Sequence, residues 1–260
     1  MKPTSLRPPI IPPRATAAKL FLVGSTIGPV VDSLHNQCLL AYDIAPITVS
    51  ISSTAPPLFC SSWVVPPLLG IAYVVLGYII PRVIELVLNW QSGTVDVVDG
   101  DGDGYDDKRI HDKELQNKAV CAVASTALII KLSEVLQTHD TISWWGHPIM
   151  LDSKLNLILM AASDAAQWAI LDRTPVAFLA AIIVAFGGPL AELPFVANGF
   201  WHYLPEAADY LPLSGDLIKA GSIADNSDLA LSSITGPCYF AVTMDAIALS
   251  RYIYTSSDGR

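Results

Sequence analysis

The chain has 260 residues, of which 52% are hydrophobic and only 15% are charged, and its mean hydropathy is +0.46. In soluble domains about a quarter of all residues are charged. This composition therefore excludes an ordinary soluble domain and indicates an integral membrane protein. The formal net charge of −9 argues against nucleic acid as a partner. Six membrane spans of roughly 20 residues each would fit within the chain as a single bundle.

The first 19 residues are basic and rich in proline, with four Lys or Arg residues, no acidic residue and five prolines. Proline cannot donate a backbone hydrogen bond and breaks helices, so we predict a disordered tail over residues 1–19. A secretory signal would need an apolar core, which is absent before Leu20. A plastid or mitochondrial transit peptide stays open, and with it a plastid membrane as the alternative location.

The remaining apolar tracts predict an all-α membrane protein with a six-helix bundle. The membrane domain would cover residues 20–252, with an acidic loop at 89–116 and a short tail at 253–260. The six predicted spans lie at about 20–41, 62–85, 118–137, 155–171, 174–191 and 229–252.

Positively charged residues predict the orientation of this bundle. Six spans place both termini on the same side of the membrane, and the loops on that side contain most of the Lys and Arg residues. By the positive-inside rule, the termini, the acidic loop and the Asp172-Arg173 pair are therefore cytosolic.

The fourth and fifth apolar tracts meet at Asp172-Arg173, with Pro175 just behind. This pattern predicts a tight turn of a helical hairpin, with Asp172 near the end of one helix and Pro175 early in the next. Trp168 lies four residues before Asp172, so the two share one helix face, which would suit an indole packed on a lipid beside a polar anchor. The alternative is an interfacial tryptophan beside a turn at the end of a helix.

Several motifs occur in order at compatible spacing. Residues 61–67 read Ser-Ser-Trp-Val-Val-Pro-Pro, which places Trp63 at the membrane interface and two prolines in the first turn of the second span. In this arrangement the chain resembles the Insig (insulin-induced gene) family. The other motifs that carry the resemblance are Trp168 with Asp172-Arg173, Phe195-Val196-Ala197-Asn198-Gly199 with Tyr203, and Pro237-Cys238-Tyr239-Phe240 with Arg251.

The resemblance implies a non-enzymatic, six-helix protein of the endoplasmic reticulum that binds oxysterol. Such proteins retain the complex of SREBP with the sterol-sensing escort protein Scap. They also promote sterol-regulated degradation of HMG-CoA reductase. Bacterial relatives share the fold and bind diacylglycerol-like lipid, so the ligand is predicted to be a sterol or a diacylglycerol-like lipid, and no cofactor is predicted. The predicted ligand-binding residues are Trp168, Asp164, Trp63 and Asp32, and the predicted partner-binding residues are Asp172 and Arg173.

Charged residues inside the predicted spans set this chain apart from vertebrate-type relatives. A carboxylate in hydrocarbon costs several kcal/mol unless it faces a cavity or a partner, so these residues should point into the bundle. One interpretation is interhelical hydrogen bonding with some carboxylates protonated; another is a pocket suited to a lipid headgroup or an ion. A rival hypothesis is a small ion or solute transporter that uses these groups. The residues are Asp32, His35, Asp164, Glu192 and Asp245.

The acidic loop contains half of a calcium-binding signature. Asp99, Asp101, Asp103 and Tyr105 match positions one, three, five and seven of an EF-hand loop, but position twelve is Ile110, which cannot supply the bidentate carboxylate. The loop is therefore either a calcium site short of ligands or a solvated acidic segment.

An intramembrane aspartyl protease is disfavoured, although Tyr42-Asp43 and Gly100-Asp101-Gly102-Asp103 resemble the motifs of that class. Two catalytic carboxylates would have to face each other within the membrane. Both motifs fall outside the predicted spans, on opposite sides, so we predict no catalytic residues.

Overall fold

A computed structural model describes residues 10–51, 57–92, 105–145, 147–219, 221 and 229–258. It contains a bundle of six long helices, which confirms the predicted all-α fold. The helices are α1 (Arg14–Leu39), α2 (Val65–Val74, a π-helical turn at Val75–Ile79, and Ile80–Ser92 without a break), α3 (Tyr105–Thr138), α4 (Ser153–Leu171), α5 (Pro175–Ala197) and α6 (Thr235–Asp258).

The ends of the outer helices differ from the sequence prediction. Helix α1 begins at Arg14, inside the segment predicted as a disordered tail, because the last proline of that segment is Pro13 and it takes the N-cap position. Helix α6 begins at Thr235, since Leu231 instead exchanges backbone hydrogen bonds with Tyr210 in an extended segment. It also continues to Asp258, through most of the predicted tail at 253–260.

The π-helical turn in α2 has a local cause. The Ile80 amide donates to the Val75 carbonyl, five residues back, just before Pro81, which has no amide proton to continue the α-helical ladder. On this turn Gly77 meets α6 closely, since a Cβ atom there would lie 2.4 Å from the Ala246 carbonyl oxygen. Only a glycine allows the two helix backbones to approach this far.

Short strands, which the sequence analysis did not predict, occupy the connections between alternate helices. They form four antiparallel pairs: β1–β6, β2–β3, β4–β5 and β7–β8. Because consecutive helices alternate in direction, the α1–α2, α3–α4 and α5–α6 connections meet at one end of the bundle, which we call the strand end. We call the opposite end, with the Asp172–Thr174 turn, the turn end. The strands are β1 (Leu40–Tyr42), β2 (Pro46–Val49), β3 (Phe59–Ser62), β4 (Thr141–Trp144), β5 (His147–Met150), β6 (Trp201–Tyr203), β7 (Tyr210–Leu211) and β8 (Asp216–Leu217).

Four segments of the described chain are long and apolar enough to cross a membrane: Arg14–Leu34, Val65–Leu88, Asp112–Thr138 and Pro175–Ala197. They belong to α1, α2, α3 and α5. Helices α4 and α6 contribute many of the buried polar residues, including Asp164, Gln167, Thr243 and Asp245. Helix α6 packs against each of the other five helices. Its polar side chains are therefore shielded from lipid by the rest of the bundle.

Candidate functional site

A cavity of about 120 Å³ lies at the strand end of the bundle, lined mainly by α1, α2, α5, α6, β1 and β6. Much of its wall is aliphatic, with Val31, Leu68, Leu69, Ile130 and Val242 among the lining residues. The polar groups on the wall come from separate elements of the fold. They are Asp32, Tyr42, Tyr73, Glu192, Trp201, Tyr203, Thr235, Cys238 and Tyr239.

Glu192, near the end of α5, joins three elements at this cavity. Its Oε2 atom accepts a hydrogen bond of 2.9 Å from the Tyr203 hydroxyl of β6, and its Oε1 atom accepts one of 2.8 Å from the Tyr239 hydroxyl of α6. The Tyr203 oxygen is also 3.0 Å from Thr235 Oγ1 at the start of α6. Burial, and then the charge of Glu192, raise the pKa of Tyr203 well above its ordinary value, so this hydroxyl remains a neutral donor.

Asp32 faces the cavity from α1. Its Oδ2 atom accepts a hydrogen bond of 3.0 Å from the Tyr42 hydroxyl of β1. Burial raises the pKa of Tyr42 far above its ordinary value, and the neighbouring Asp32 raises it further. The Tyr42 hydroxyl therefore also stays protonated and serves as a donor to the carboxylate.

A third carboxylate lies behind the wall. The Tyr73 hydroxyl, on α2, donates a hydrogen bond of 2.6 Å to Asp245 Oδ2 on α6. Asp245 has no exposed surface, and its other carboxylate oxygen has no hydrogen-bond partner among the described residues. Tyrosine hydroxyls thus donate hydrogen bonds to carboxylates from three helices in and around the cavity.

The model of the family described as insulin-induced protein (INSIG) matches residues 15–242 of this sequence, which is most of the chain. The chain belongs to the Insig family. Insig proteins are regulatory multi-pass membrane proteins without enzymatic activity, in agreement with the absence of predicted catalytic residues. Membership also favours a regulatory protein over the transporter hypothesis.

Solved structures support the Insig fold. The chain is similar to MvINS, an Insig homolog from Mycobacterium vanbaalenii, with 17% identity, a TM-score of 0.55, and coverage of 94% of this chain and 96% of that one. A cross-linked trimer of MvINS matches over the same shares, with 18% identity and a TM-score of 0.55. A comparison with curated proteins finds no match.

The structure places the four predicted ligand-binding residues of this Insig protein in different regions. Asp32 lines the cavity. Trp63 is 71% exposed at the start of α2, as an interfacial side chain would be. Asp164 is buried in α4 and is not one of the lining residues, and its Oδ1 atom has no hydrogen-bond partner among the described residues. Trp168 lies at the turn end, where its ring packs 5.0 Å from that of Phe178 and its Nε1 donates to the Thr174 carbonyl at 3.0 Å.

The predicted hairpin turn forms as expected. Helix α4 ends at Leu171 and Pro175 is the first residue of α5. Asp172 Oδ1 accepts a hydrogen bond of 2.9 Å from the Thr174 amide, and Oδ2 accepts one from Arg251 Nη1 on α6. The Asp172 side chain is only 4% exposed, so a partner protein could not contact this carboxylate unless Arg251 moved.

Arg173, the second predicted partner-binding residue, is exposed at the same turn. Its backbone has a φ of 64°, in the left-handed region, and its Nε donates to the Ala169 carbonyl at 2.5 Å. The guanidinium is therefore the charged group of the Asp172-Arg173 pair that a partner could reach.

The proposed calcium residues Asp99, Asp101 and Asp103 lie outside the described residues. Tyr105 is the first residue of α3, and α2 extends to Ser92. Both flanks of the predicted loop at 89–116 are therefore helical. Over the part of the chain that the structure describes, no group of three or more potential metal ligands occurs.

Sequence reasoning missed the tyrosines as partners of the intramembrane carboxylates. Tyr203 and Tyr239 stood out only as parts of family motifs, and Tyr42 only as part of a protease-like dipeptide. The available signal was chemical: a carboxylate in a span requires a donor, and tyrosines follow or begin the neighbouring spans. The pairs of Tyr239 with Glu192 and of Tyr73 with Asp245 join residues 47 and 172 positions apart, so they depend on how the helices pack.

Proposed function

We propose that this Insig-family protein binds a membrane lipid with the polar end of the lipid in the strand-end cavity. The observation that carries the proposal is the cavity itself, where an aliphatic wall meets the carboxylates of Asp32 and Glu192. Apolar walls with a few convergent polar groups are typical of ligand sites. The aliphatic part favours hydrocarbon, and the carboxylates can accept hydrogen bonds from a headgroup.

The size of the cavity limits which part of the lipid enters. A single water needs roughly 10–15 Å³ of such a cavity, so about 120 Å³ holds several waters or the polar end of a lipid, with the remaining hydrocarbon among the helices and the bilayer. A sterol and a diacylglycerol-like lipid both fit this description, since each ends in a hydroxyl that can donate to a carboxylate.

Photocrosslinking tests the proposal directly. A sterol probe and a diacylglycerol probe should each be titrated against the wild type and against Val242→Trp, which fills the cavity with an indole. The matched control is Val83→Trp, because Val83 is 44% exposed on α2 and does not line the cavity. We expect saturable labelling by at least one probe, lost in Val242→Trp and retained in Val83→Trp. No saturable labelling by either probe would overturn lipid binding.

We further propose that lipid binding regulates a membrane partner in the endoplasmic reticulum, with the termini and the turn end cytosolic. Family membership supports membrane partners in general, and Lys and Arg placement supports the orientation. Sterol-sensing-domain proteins similar to Scap or to HMG-CoA reductase are the proposed partners. The exposed Arg173 is the proposed contact, and Asp172 would act by holding the turn against α6.

Affinity capture from solubilised membranes tests this second step. Arg173→Ala should reduce capture of the partner and leave thermal unfolding unchanged, because the side chain is exposed. Asp172→Ala should reduce both capture and stability, since it removes the partner of Arg251. Unchanged capture by both variants would show that this end is only a turn. A fluorescent fusion distinguishes the endoplasmic reticulum from a plastid membrane.

A further inference from the structure

The polar wall of the strand-end cavity is both acidic and aromatic. Asp32 and Glu192 present carboxylates from two different helices, while Lys, Arg and His are absent from the described residues that line the cavity. Aromatic rings make up much of the remaining polar wall, and they come from five positions: Tyr42, Tyr73, Trp201, Tyr203 and Tyr239.

This combination favours a positive charge in the cavity. Two carboxylates that face one low-dielectric space repel each other, and a cation between them removes the repulsion. The tyrosine hydroxyls that donate to Glu192 stabilise its charged form but contribute no positive charge. Each carboxylate has about four acceptor positions, so Glu192 can accept from a ligand as well as from its two tyrosines.

The aromatic rings narrow the class of cation. The faces of tryptophan and tyrosine attract organic ammonium groups, and clusters of such rings recognise quaternary ammonium ligands. A bare metal ion would instead require several oxygen ligands, and no group of three or more potential metal ligands occurs among the described residues. The aliphatic residues beside the rings, including Leu68 and Val242, suit a hydrocarbon chain attached to the ammonium.

We propose that the strand-end cavity prefers lipids with an ammonium headgroup, held between the carboxylates of Asp32 and Glu192 and the surrounding aromatic rings. This inference rests on the proposed lipid-binding function and specifies the headgroup. A primary amine and a quaternary ammonium share the charge that the cavity recognises. They differ in that only the amine donates hydrogen bonds to the carboxylates.

A series of ligands with one tail and different headgroups tests the preference. Dodecylamine, dodecyltrimethylammonium, dodecanol and dodecanoate should compete with the photoactivatable diacylglycerol and sterol probes on the full chain in dodecyl maltoside micelles, which carry no charge. We expect both ammonium compounds to compete about tenfold more strongly than dodecanol, and dodecanoate to compete least. Stronger competition by dodecylamine than by the quaternary compound would show direct hydrogen bonding to the carboxylates.

Charge-neutralising variants assign the preference to the cavity. Glu192→Gln and Asp32→Asn each remove one charge and keep the shape of the side chain, so each should reduce the advantage of ammonium over dodecanol to about threefold or less. Two variants are used because one substitution could disturb folding. Glu85→Gln is the matched control and should keep the full advantage, since Glu85 lies on α2 outside the lining and pairs with Arg82.

The possible outcomes separate this inference from the proposed function. If probes label saturably but dodecanol competes as well as the ammonium compounds, the headgroup preference is overturned and lipid binding stands. If the preference persists in both Glu192→Gln and Asp32→Asn, it arises elsewhere and the assignment to the cavity is overturned. If neither probe labels saturably, lipid binding fails, and this inference fails with it.

Discussion

The two ends of the bundle each set a carboxylate from a helix end against α6, but they compensate its charge differently. At the turn end, Asp172 receives a hydrogen bond from Arg251 and another from the Thr174 amide, so its charge is paired. At the strand end, Glu192 receives hydrogen bonds from two tyrosine hydroxyls, which bring no positive charge to the carboxyl group. The Asp172 carboxylate stabilises a turn, while the Glu192 carboxylate faces a cavity.

Burial alone therefore does not identify a binding site in this protein. The Asp172 side chain is only 4% exposed, and the packing of Trp168 and Phe178 occupies the space beside the turn. Glu192 is half-buried and lines the strand-end cavity. The distinction is that Arg251 pairs with Asp172, whereas the described residues that line the cavity beside Glu192 include no Lys, Arg or His.

The largest expected effect is at the turn end. Arg251→Leu should lower the free energy of unfolding by about 3 kcal/mol, because it leaves the nearly buried Asp172 carboxylate without its cation. Unfolding in mixed detergent micelles measures this value. The matched control is Arg82→Leu, which removes the partner of Glu85, a carboxylate that is 35% exposed, and should cost less than about 1 kcal/mol. Equal losses in both variants would show that the Arg251–Asp172 pair stabilises the fold no more than the Arg82–Glu85 pair does.

At the strand end, the shape of the acceptor should matter more for stability than its charge. Glu192→Leu should cost about 2 kcal/mol, because it removes the acceptor of the Tyr239 hydroxyl and one partner of Tyr203. Glu192→Gln keeps an acceptor oxygen and should cost less than about 1 kcal/mol. The same unfolding experiment checks both values. A loss for Glu192→Gln as large as that for Arg251→Leu would erase the difference between the two ends.

Two adjacent glycines on α5 give a test of the cavity wall. A Cβ atom at Gly188 would lie 2.5 Å from the ring of Tyr239, whereas one at Gly187 would meet nothing within 4 Å. Gly188→Ala should therefore cost about 1–2 kcal/mol through overpacking and should reduce lipid labelling by displacing Tyr239. Gly187→Ala should be neutral or stabilising by up to about 1 kcal/mol, with unchanged labelling. Reduced labelling in both variants would contradict a role for the Tyr239 wall.

The sequence predicted the bundle and the hairpin turn well because both depend on local patterns. Apolar length indicated six helices, and the Asp172–Pro175 segment contains its own cap and start signals. The extended segment before Thr235 was missed because it depends on Leu231 pairing with Tyr210, 21 residues earlier in the same α5–α6 connection. Of the predicted ligand-binding residues, Asp32 lies on the cavity, but helix rotation and depth, which place Asp164 and Trp168 elsewhere, are set by packing between helices.

The smallest expected effect distinguishes a turn residue from a ligand contact at Trp168. Trp168→Phe removes the hydrogen bond to the Thr174 carbonyl and keeps an aromatic ring against Phe178, so it should cost about 1 kcal/mol. Lipid labelling should stay at the wild-type level, because Trp168 does not line the cavity. Tyr203→Phe, which removes a hydroxyl at the cavity, is the contrasting variant and should change labelling. Loss of labelling in Trp168→Phe alone would place the lipid at the turn end, as the family resemblance of this residue predicts.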